Sequence, residues 1–270
     1  KMIIVSWNIN SVRIRLHHLK RLIDEVNPDV ICLQETKVVT ESFPHSALSD
    51  LGFPYQAVVG IKSYNGVAIL SKYELSKTEV RNWCEKEDAR HIFSTINSPD
   101  MGKVEVHNLY VPAGGDIPDI EKNDKFAHKL RFLKELSKWQ KSRSGTPTKQ
   151  ILLGDLNIAP LESDVWSHKQ LMNIVSHTDM EITALKNLQN AGPWIDAVRE
   201  LVPKDKKLFS WWSYRAKDWT TSNRGRRLDH VWVTKNMRNS IKKVQLLKEA
   251  RSWEKPSDHA PLIVTFKASE

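Results

Sequence analysis

Apolar residues recur along this chain in short blocks separated by polar turns. Met2–Trp7 is a nearly continuous apolar run, the pattern of a strand buried on both faces. Leu16, Leu19, Leu22, Ile23 and Val26 then recur at helical spacing, and Pro28 predicts the end of that helix. Asp29–Gln34 reads as a second buried strand, so the chain opens strand–helix–strand, the start of an α/β layer. Further strands are predicted at Tyr55–Val59, Val67–Ser71, His91–Asn97 and Val104–Leu109, with turns around Gly60–Gly66 and Pro99–Gly102. Phe126, Leu130, Leu133 and Leu136 mark a helix running to about Gln140. Ile151–Leu153, Phe209–Ser213, Leu228–Thr234, Val244–Leu247 and Leu262–Phe266 complete the strands.

Strands of similar character stand on both sides of the polar Ser142–Thr148 connection. It therefore reads as a loop inside one domain spanning residues 1–270. A chain of 270 residues can bury a real core unaided. Its two cysteines, Cys32 and Cys84, support neither a disulfide framework nor a cysteine zinc site, and Cys32 sits in an apolar run. No apolar run approaches membrane-spanning length and no signal-peptide pattern is visible, so a cytoplasmic protein with no membrane partner is expected.

Charge changes the picture. Lys and Arg number 41 against 32 Asp and Glu, a net of +9. Residues 199–251 hold 15 of those cations and 5 of the acids, a net of +10, leaving −1 for everything else. Four of the ten tryptophans, Trp211, Trp212, Trp219 and Trp232, lie in this segment, and Trp253 follows just beyond it. Cations interleaved with flat rings suit nucleic acid, where phosphates meet charge and bases meet ring faces. A solvated basic face over a tryptophan-rich core would give the same composition. Core packing is the expectation for Trp212, Trp219 and Trp232.

Several apolar runs meet acids. Val30–Leu33 runs into Gln34 and Glu35, and Ile151–Leu153 into Gly154-Asp155-Leu156-Asn157. Asp229 opens the run Val231–Val233, and Ser257-Asp258-His259 precedes the last one. Acids beside buried strands are costly unless paired or bound to a cation, so these ends are expected to converge, with Asn8 among them. The residue types fit phosphodiester hydrolysis. That reaction needs an oxygen-liganded hard cation, a carboxylate to orient or deprotonate water, and donors for the charged transition state. Glu35 is a candidate Mg2+ ligand and Asp155 a candidate base. His259 and Asn157 are candidate phosphate donors, with Asp229 orienting the imidazole.

At these residues the chain resembles the exonuclease III family of apurinic/apyrimidinic DNA endonucleases, within the DNase I-like superfamily. The motifs are Trp7-Asn8-Ile9-Asn10, Leu33-Gln34-Glu35-Thr36-Lys37, Asn65–Ile69, Asn108-Leu109-Tyr110-Val111-Pro112, Gly154–Pro160, Asn223–Asp229 and Ser257–Pro261. They stand in family order over nearly the whole chain, and Phe209–Arg215 is most similar to the bacterial branch. The resemblance implies an α/β fold: a four-layer α/β/β/α sandwich, two mixed sheets face to face with helices outside. It implies Mg2+, with Mn2+ as a substitute, held by Glu35 with Asn10 and Asp258 nearby. It implies water orientation by Asp155, set by Asn8 and assisted by Asn157. It also implies phosphate binding by His259 paired with Asp229, and phosphate contact by Tyr110.

For DNA contact the resemblance points to Arg90. The basic segment offers Arg215, Arg224, Arg226 and Arg227, and Trp211 and Leu228 match walls of a pocket for a flipped abasic sugar. Ala113, Ser213 and Arg226 depart from residues common among relatives, which bears on the balance of activities. The implied function is a monomeric DNA repair nuclease. It would cut 5′ to abasic sites in double-stranded DNA, process blocked 3′ ends and degrade strands 3′ to 5′. The rivals are another phosphoesterase of the superfamily and a non-catalytic DNA-binding protein. His230, next to Asp229 in a strand, is expected to face away from the site, and His17-His18 to be a surface pair.

Overall fold

The fold follows from where the apolar blocks can be buried. In a computed structural model, which describes residues 1–143 and 148–268, the elements run in this order. First come β1 (Met2–Asn8), α1 (Leu16–Val26), β2 (Val30–Gln34), α2 (His45–Asp50), β3 (Tyr55–Val59) and β4 (Val67–Ser71). Then follow β5 (Leu75–Trp83), β6 (Lys86–Ser98), β7 (Gly102–Tyr110), α3 (Asp124–Ser142) and β8 (Lys149–Asp155). Next are α4 (His168–Leu171), α5 (Asp179–Ala191), β9 (Trp194–Asp196), α6 (Ala197–Leu201), β10 (Trp211–Trp212) and α7 (Trp219–Ser222). The chain ends with β11 (Gly225–Arg226), β12 (Asp229–Thr234), β13 (Ile241–Leu246) and β14 (Leu262–Phe266). Most of the expected Ser142–Thr148 loop lies outside the described residues.

Two six-stranded mixed sheets result, ordered β13-β14-β1-β2-β4-β3 and β5-β6-β7-β8-β12-β9. In each, a parallel pair sits among antiparallel neighbours: β1 with β2, and β7 with β8. Side chains alternate across the strands, so each sheet has two apolar faces to cover. Ile4, Val30 and Cys32 of one sheet pack with Val106, Ile151 and Leu153 of the other in one buried cluster between them. Val5, Trp7, Ile31 and Leu33, on the outer face of the first sheet, pack on Leu19 and Leu22 of α1. Leu152 and Trp232, on the outer face of the second, pack on Phe132 and Leu136 of α3 and Leu188 of α5. These are the four layers expected. A buried polar tie crosses the inner layer: Gln34 Nε2 donates to Asn108 Oδ1 at 2.8 Å, and Asn108 donates on to the Leu33 and Ala68 carbonyls.

Local expectations are corrected in several places. Leu75–Trp83 is a strand, unseen in sequence because it is an edge strand with mostly exposed side chains. Asp179–Ala191 is a helix, started by a capping box between Thr178 and Glu181. The strand expected over Phe209–Ser213 pairs only at Trp211–Trp212, because its partner β11 is two residues long. His18 is buried rather than a surface residue, its ring edge-on to Trp253 at 5.3 Å. Trp212 and Trp232 are core residues as expected, whereas Trp219 is only half-buried.

Candidate active site

The sheet registers bring the acids together. Asp155 ends β8, with Tyr110 beside it at the end of β7 and Asp229 beside it at the start of β12. On the other sheet, Asn8 and Gln34 are partners at the ends of β1 and β2, so Glu35 emerges next to Asn8. The segment before β14 is anchored to the same edge, where Ser257 Oγ donates to the Asn8 carbonyl and Trp7 Nε1 to the His259 carbonyl. Gly154 has a φ of +133° and lies flush against β7, where an added Cβ would sit 2.0 Å from the Leu109 carbonyl oxygen. Only glycine fits there, and it sets the direction in which Asp155 leaves the strand. Asn10, Glu35 and Asn157 all have φ near +50°. Asparagine tolerates that conformation, but a glutamate there is strained, a feature that collects at functional sites.

Asn8 is fully buried and donates through Nδ2 to both Glu35 Oε2 and Asp155 Oδ2, the latter at 2.9 Å. Asp155 Oδ1 accepts from the Asn157 amide at 3.0 Å. His259 Nδ1 lies 2.7 Å from Asp229 Oδ2, and its Nε2 lies 3.5 Å from Asp155 Oδ2. Asp229 is itself held by Ser210, whose hydroxyl donates to Oδ2 at 2.6 Å while accepting from the Leu228 and Asp229 amides. Burial disfavours a charged imidazole, but the Asp229 and Asp155 carboxylates outweigh it and hold the His259 pKa well above its ordinary value. Burial also pushes Asp155 up, to about 7. The His259 charge and the Asn8 hydrogen bond oppose that rise, and the Asp229 and Glu35 charges add to it. Tyr110 is raised well above an ordinary phenol by burial and by the Glu35 and Asp155 carboxylates, so it stays a neutral donor.

Glu35, Asp155 and His259 each offer one ligand atom within 4.8 Å of the others. His259 holds a proton, so the usable donors are hard carboxylate oxygens, which suit Mg2+ or Mn2+ better than zinc. Asp258 adds a further observation. Its Oδ2 accepts from Trp211 Nε1 at 3.0 Å, while its buried Oδ1 has no hydrogen-bond partner among the described residues. The site thus fits a divalent cation. Asn10 is not among the residues lining the cavity, and its Oδ1 accepts from Lys37 Nζ at 2.6 Å, with Lys37 also approaching Glu35 at 3.6 Å.

These residues line a cavity of about 750 Å3. Glu35, Tyr110, Asp155, Asn157, Asp258 and His259 form its polar floor. Trp211, Leu228, Arg215 and Arg226 form its wall, with Arg226 Cζ 5.2 Å from the Trp211 ring centre. Arg226 is pinned by donating to the Val175 carbonyl and Ser176 Oγ. Asn157 donates one amide hydrogen to the Val111 carbonyl at 2.7 Å, which leaves its second available. Arg215 and Arg224 are exposed beside the cavity, and Arg224 stacks on Trp166 at 4.6 Å.

Two arginines sit differently. Arg90 pairs with Asp88, donates to the Tyr110 carbonyl and lies 5.1 Å from the centre of the Tyr110 ring, so it holds Tyr110 in place. Arg227 corrects the sequence reading. Its side chain is 2% exposed, its Nε and Nη2 grip Asp164 at 2.7 and 2.9 Å, and its Nη1 grips Asp196 at 2.8 Å. It is an internal brace and does not reach a ligand. His230 points away from the cavity, as expected, and bonds the Ile158 carbonyl.

Sequence reasoning missed four supports. Ser210 and Ser257 stood inside motifs but looked like ordinary loop serines. Lys37 also stood in a motif, with nothing to show that it reaches back to Asn10. Lys129 gave no signal, because its partners are distant in sequence. It is fully buried, and its ammonium donates to the Asn157 carbonyl at 2.7 Å, to the Ala113 carbonyl at 3.1 Å and to Glu181. Glu181 in turn accepts from the Ser176 amide at 2.8 Å, so this pair ties three cavity-lining loops to α3 and α5.

Comparison with known proteins bears on what such a site does. The endonuclease/exonuclease/phosphatase family profile matches residues 5–259. Exodeoxyribonuclease III of Haemophilus influenzae is 32% identical, covering 97% of this chain and 99% of that protein. Among solved structures, a Neisseria 3′ phosphatase, NExo, bound to a product DNA hairpin superposes with a TM-score of 0.90 at 29% identity, covering 99% of this chain and 100% of that one. An AP endonuclease from Archaeoglobus fulgidus gives the same TM-score and identity, covering 98% and 99%.

Proposed function

The chain belongs to the endonuclease/exonuclease/phosphatase family as a phosphodiester-hydrolysing nuclease of the exonuclease III type, and we propose that it is a Mg2+-dependent base-excision-repair enzyme acting on double-stranded DNA. It incises the phosphodiester 5′ to abasic sites, leaves a 3′-hydroxyl, and trims 3′-phosphates and other blocked 3′ ends. The observation that carries this reading is the line Asp229–His259–Asp155, with contacts of 2.7 and 3.5 Å, opening into a cavity walled by Trp211 and Leu228.

Each residue's part follows from its surroundings. Glu35 and Asp155, with Asp258 beside them, would hold the cation, which when bound supplies charge neutralisation for the phosphate. Asn8 fixes the Asp155 carboxylate so that its free lone pairs face the cavity. Asp155 orients the attacking water and takes up its proton. His259, charged and clamped by Asp229, donates to a phosphate oxygen and stabilises the extra negative charge of the transition state. Tyr110 and the free amide hydrogen of Asn157 supply further neutral donors. Trp211 and Leu228 present an indole and an aliphatic side chain to a flipped baseless sugar, which gives preference for abasic nucleotides. The neighbouring relatives carry both phosphatase and endonuclease names, consistent with one site serving both bonds.

The test is hydrolysis of three DNA duplexes, one with an abasic site, one with a 3′-phosphate and one intact, with Mg2+ and with EDTA. A soluble phosphomonoester is the control. Turnover of the first two with Mg2+ alone is expected. Preference for the soluble phosphomonoester would refute the assignment, and full turnover in EDTA would remove the metal from it.

A further inference from the structure

A second cavity lies directly behind the Trp211–Arg226 wall. Its volume is about 320 Å3, at the small end of ligand pockets, which run roughly 300–1,000 Å3. Four tryptophans, Trp166, Trp211, Trp212 and Trp219, line it. Cations surround it. Arg215, Arg224 and Arg226 line it, and Lys248 Nζ stands 5.6 and 5.7 Å from the Trp212 and Trp219 rings. The nearby acid Asp218 is turned to the Thr220 and Thr221 amides and hydroxyls as a helix cap.

We propose that this second cavity binds an unpaired nucleobase, delivered by the same DNA strand whose phosphate occupies the catalytic cavity. The proposal rests on the catalytic reading above and goes beyond it, because it assigns a base to a separate cavity on the far side of the Trp211–Arg226 wall. Continuity comes first. The two cavities share Trp211, Ser213, Arg215 and Arg226, so a strand crossing that wall places one nucleotide on each side. Charge comes second. Cations at the rim meet backbone phosphates on either side of the base, whereas an apolar peptide would gain nothing from them. Ring chemistry comes third. A paired base inside a duplex has both faces stacked and offers only edges, while a cavity walled by indoles rewards a free face. The occupant is therefore a base freed from pairing, as at a frayed or mismatched 3′ end. This gives a nuclease that processes 3′ ends a way to sense that the terminal pair is broken.

The test uses duplexes with a 3′-terminal 2-aminopurine nucleotide, either paired or mismatched, bound to the intact protein in EDTA so that nothing is cut. The wild type is expected to bind the mismatched end roughly five- to one-hundred-fold tighter than the paired one, with indole quenching of the 2-aminopurine. Trp166→Leu removes a wall, and Ala216→Phe fills the cavity without removing any ring. Ala216 is one of the cavity's lining residues. Each should bring the ratio to about twofold or less and relieve the quenching. Equal wild-type affinities, or a ratio that survives either variant, would overturn the proposal. Failure of the catalytic reading shows itself separately, as absence of DNA hydrolysis when Mg2+ is restored.

Discussion

Arg227 separates what looks basic in the sequence from what can meet DNA, and Arg227→Met tests the distinction. The residue stands between Arg226 and Leu228, in the most basic stretch of the chain, yet its guanidinium is spent inside the protein. It makes three charge-assisted hydrogen bonds of 2.7 to 2.9 Å, and Asp164 is also held by Arg199 at 2.6 Å. Removing one partner of a buried ion pair costs about 3–5 kcal/mol, because the remaining charge loses its compensation. Asp164 keeps Arg199 and Asp196 is partly exposed, which places the loss near the lower figure, about 3 kcal/mol. At about 2–4 °C per kcal/mol for a chain of this size, the melting temperature should fall by roughly 6–12 °C. DNA affinity should keep its dependence on salt, since each phosphate contact contributes a slope of about 0.9 and Arg227 makes none. Arg215→Ala, at an exposed cation beside the cavity, should do the opposite: lower the slope by about 0.9 with little change in melting. Differential scanning calorimetry and binding titrations over a salt series give both readings. A reduced salt slope with unchanged melting in Arg227→Met would refute the placement of this side chain.

Two further predictions concern the frame around the site. Lys129→Met leaves Glu181 charged and buried and should cost about 3–5 kcal/mol in urea unfolding. Adding Glu181→Leu should recover part of that loss, and strictly additive costs would mean that the two do not act as a pair. Acid should weaken the fold through His230, whose pKa burial and the Arg227 charge lower from 6.5 to about 4. A histidine held neutral in the folded state contributes fully above about pH 6.5 and progressively less as pH falls toward 4, so the contribution of His230 to stability should drop by about 2 kcal/mol between pH 7.5 and pH 5. His230→Leu should flatten that slope, and an unchanged slope would assign the acid sensitivity to other groups.

The parts legible in the sequence were those whose signal is local. Buried strands such as Val30–Gln34 and Lys149–Asp155 announce themselves as apolar runs, and the acids ending them stand out because an unpaired acid there is costly. The edge strand β5 did not, since most of its side chains face solvent and no apolar run marks it. The acids of the candidate site were identifiable as types, but their meeting depends on register. Asp155 faces Tyr110 and Asp229 only because β8 pairs parallel with β7 and antiparallel with β12 at those positions. Arg227 and Lys129 show the limit most plainly. Charge counts treat every cation alike, and only the tertiary structure distinguishes Arg215, which is exposed, from Arg227, which faces two buried or half-buried carboxylates.

The central claim is that Asp155 acts in bond breaking and not in holding DNA. Asp155→Asn keeps the shape of the side chain and its contact with Asn8 while removing the negative charge proposed to orient and deprotonate water. The decisive measurement compares, for this variant and the wild type, the affinity for an abasic-site duplex and the single-turnover cleavage rate with Mg2+. The account predicts affinity within about threefold of wild type and cleavage reduced by at least about a thousandfold, the scale of losing the group that activates the nucleophile. Cleavage that survives, or cleavage and binding lost together in a variant that remains folded, would contradict it.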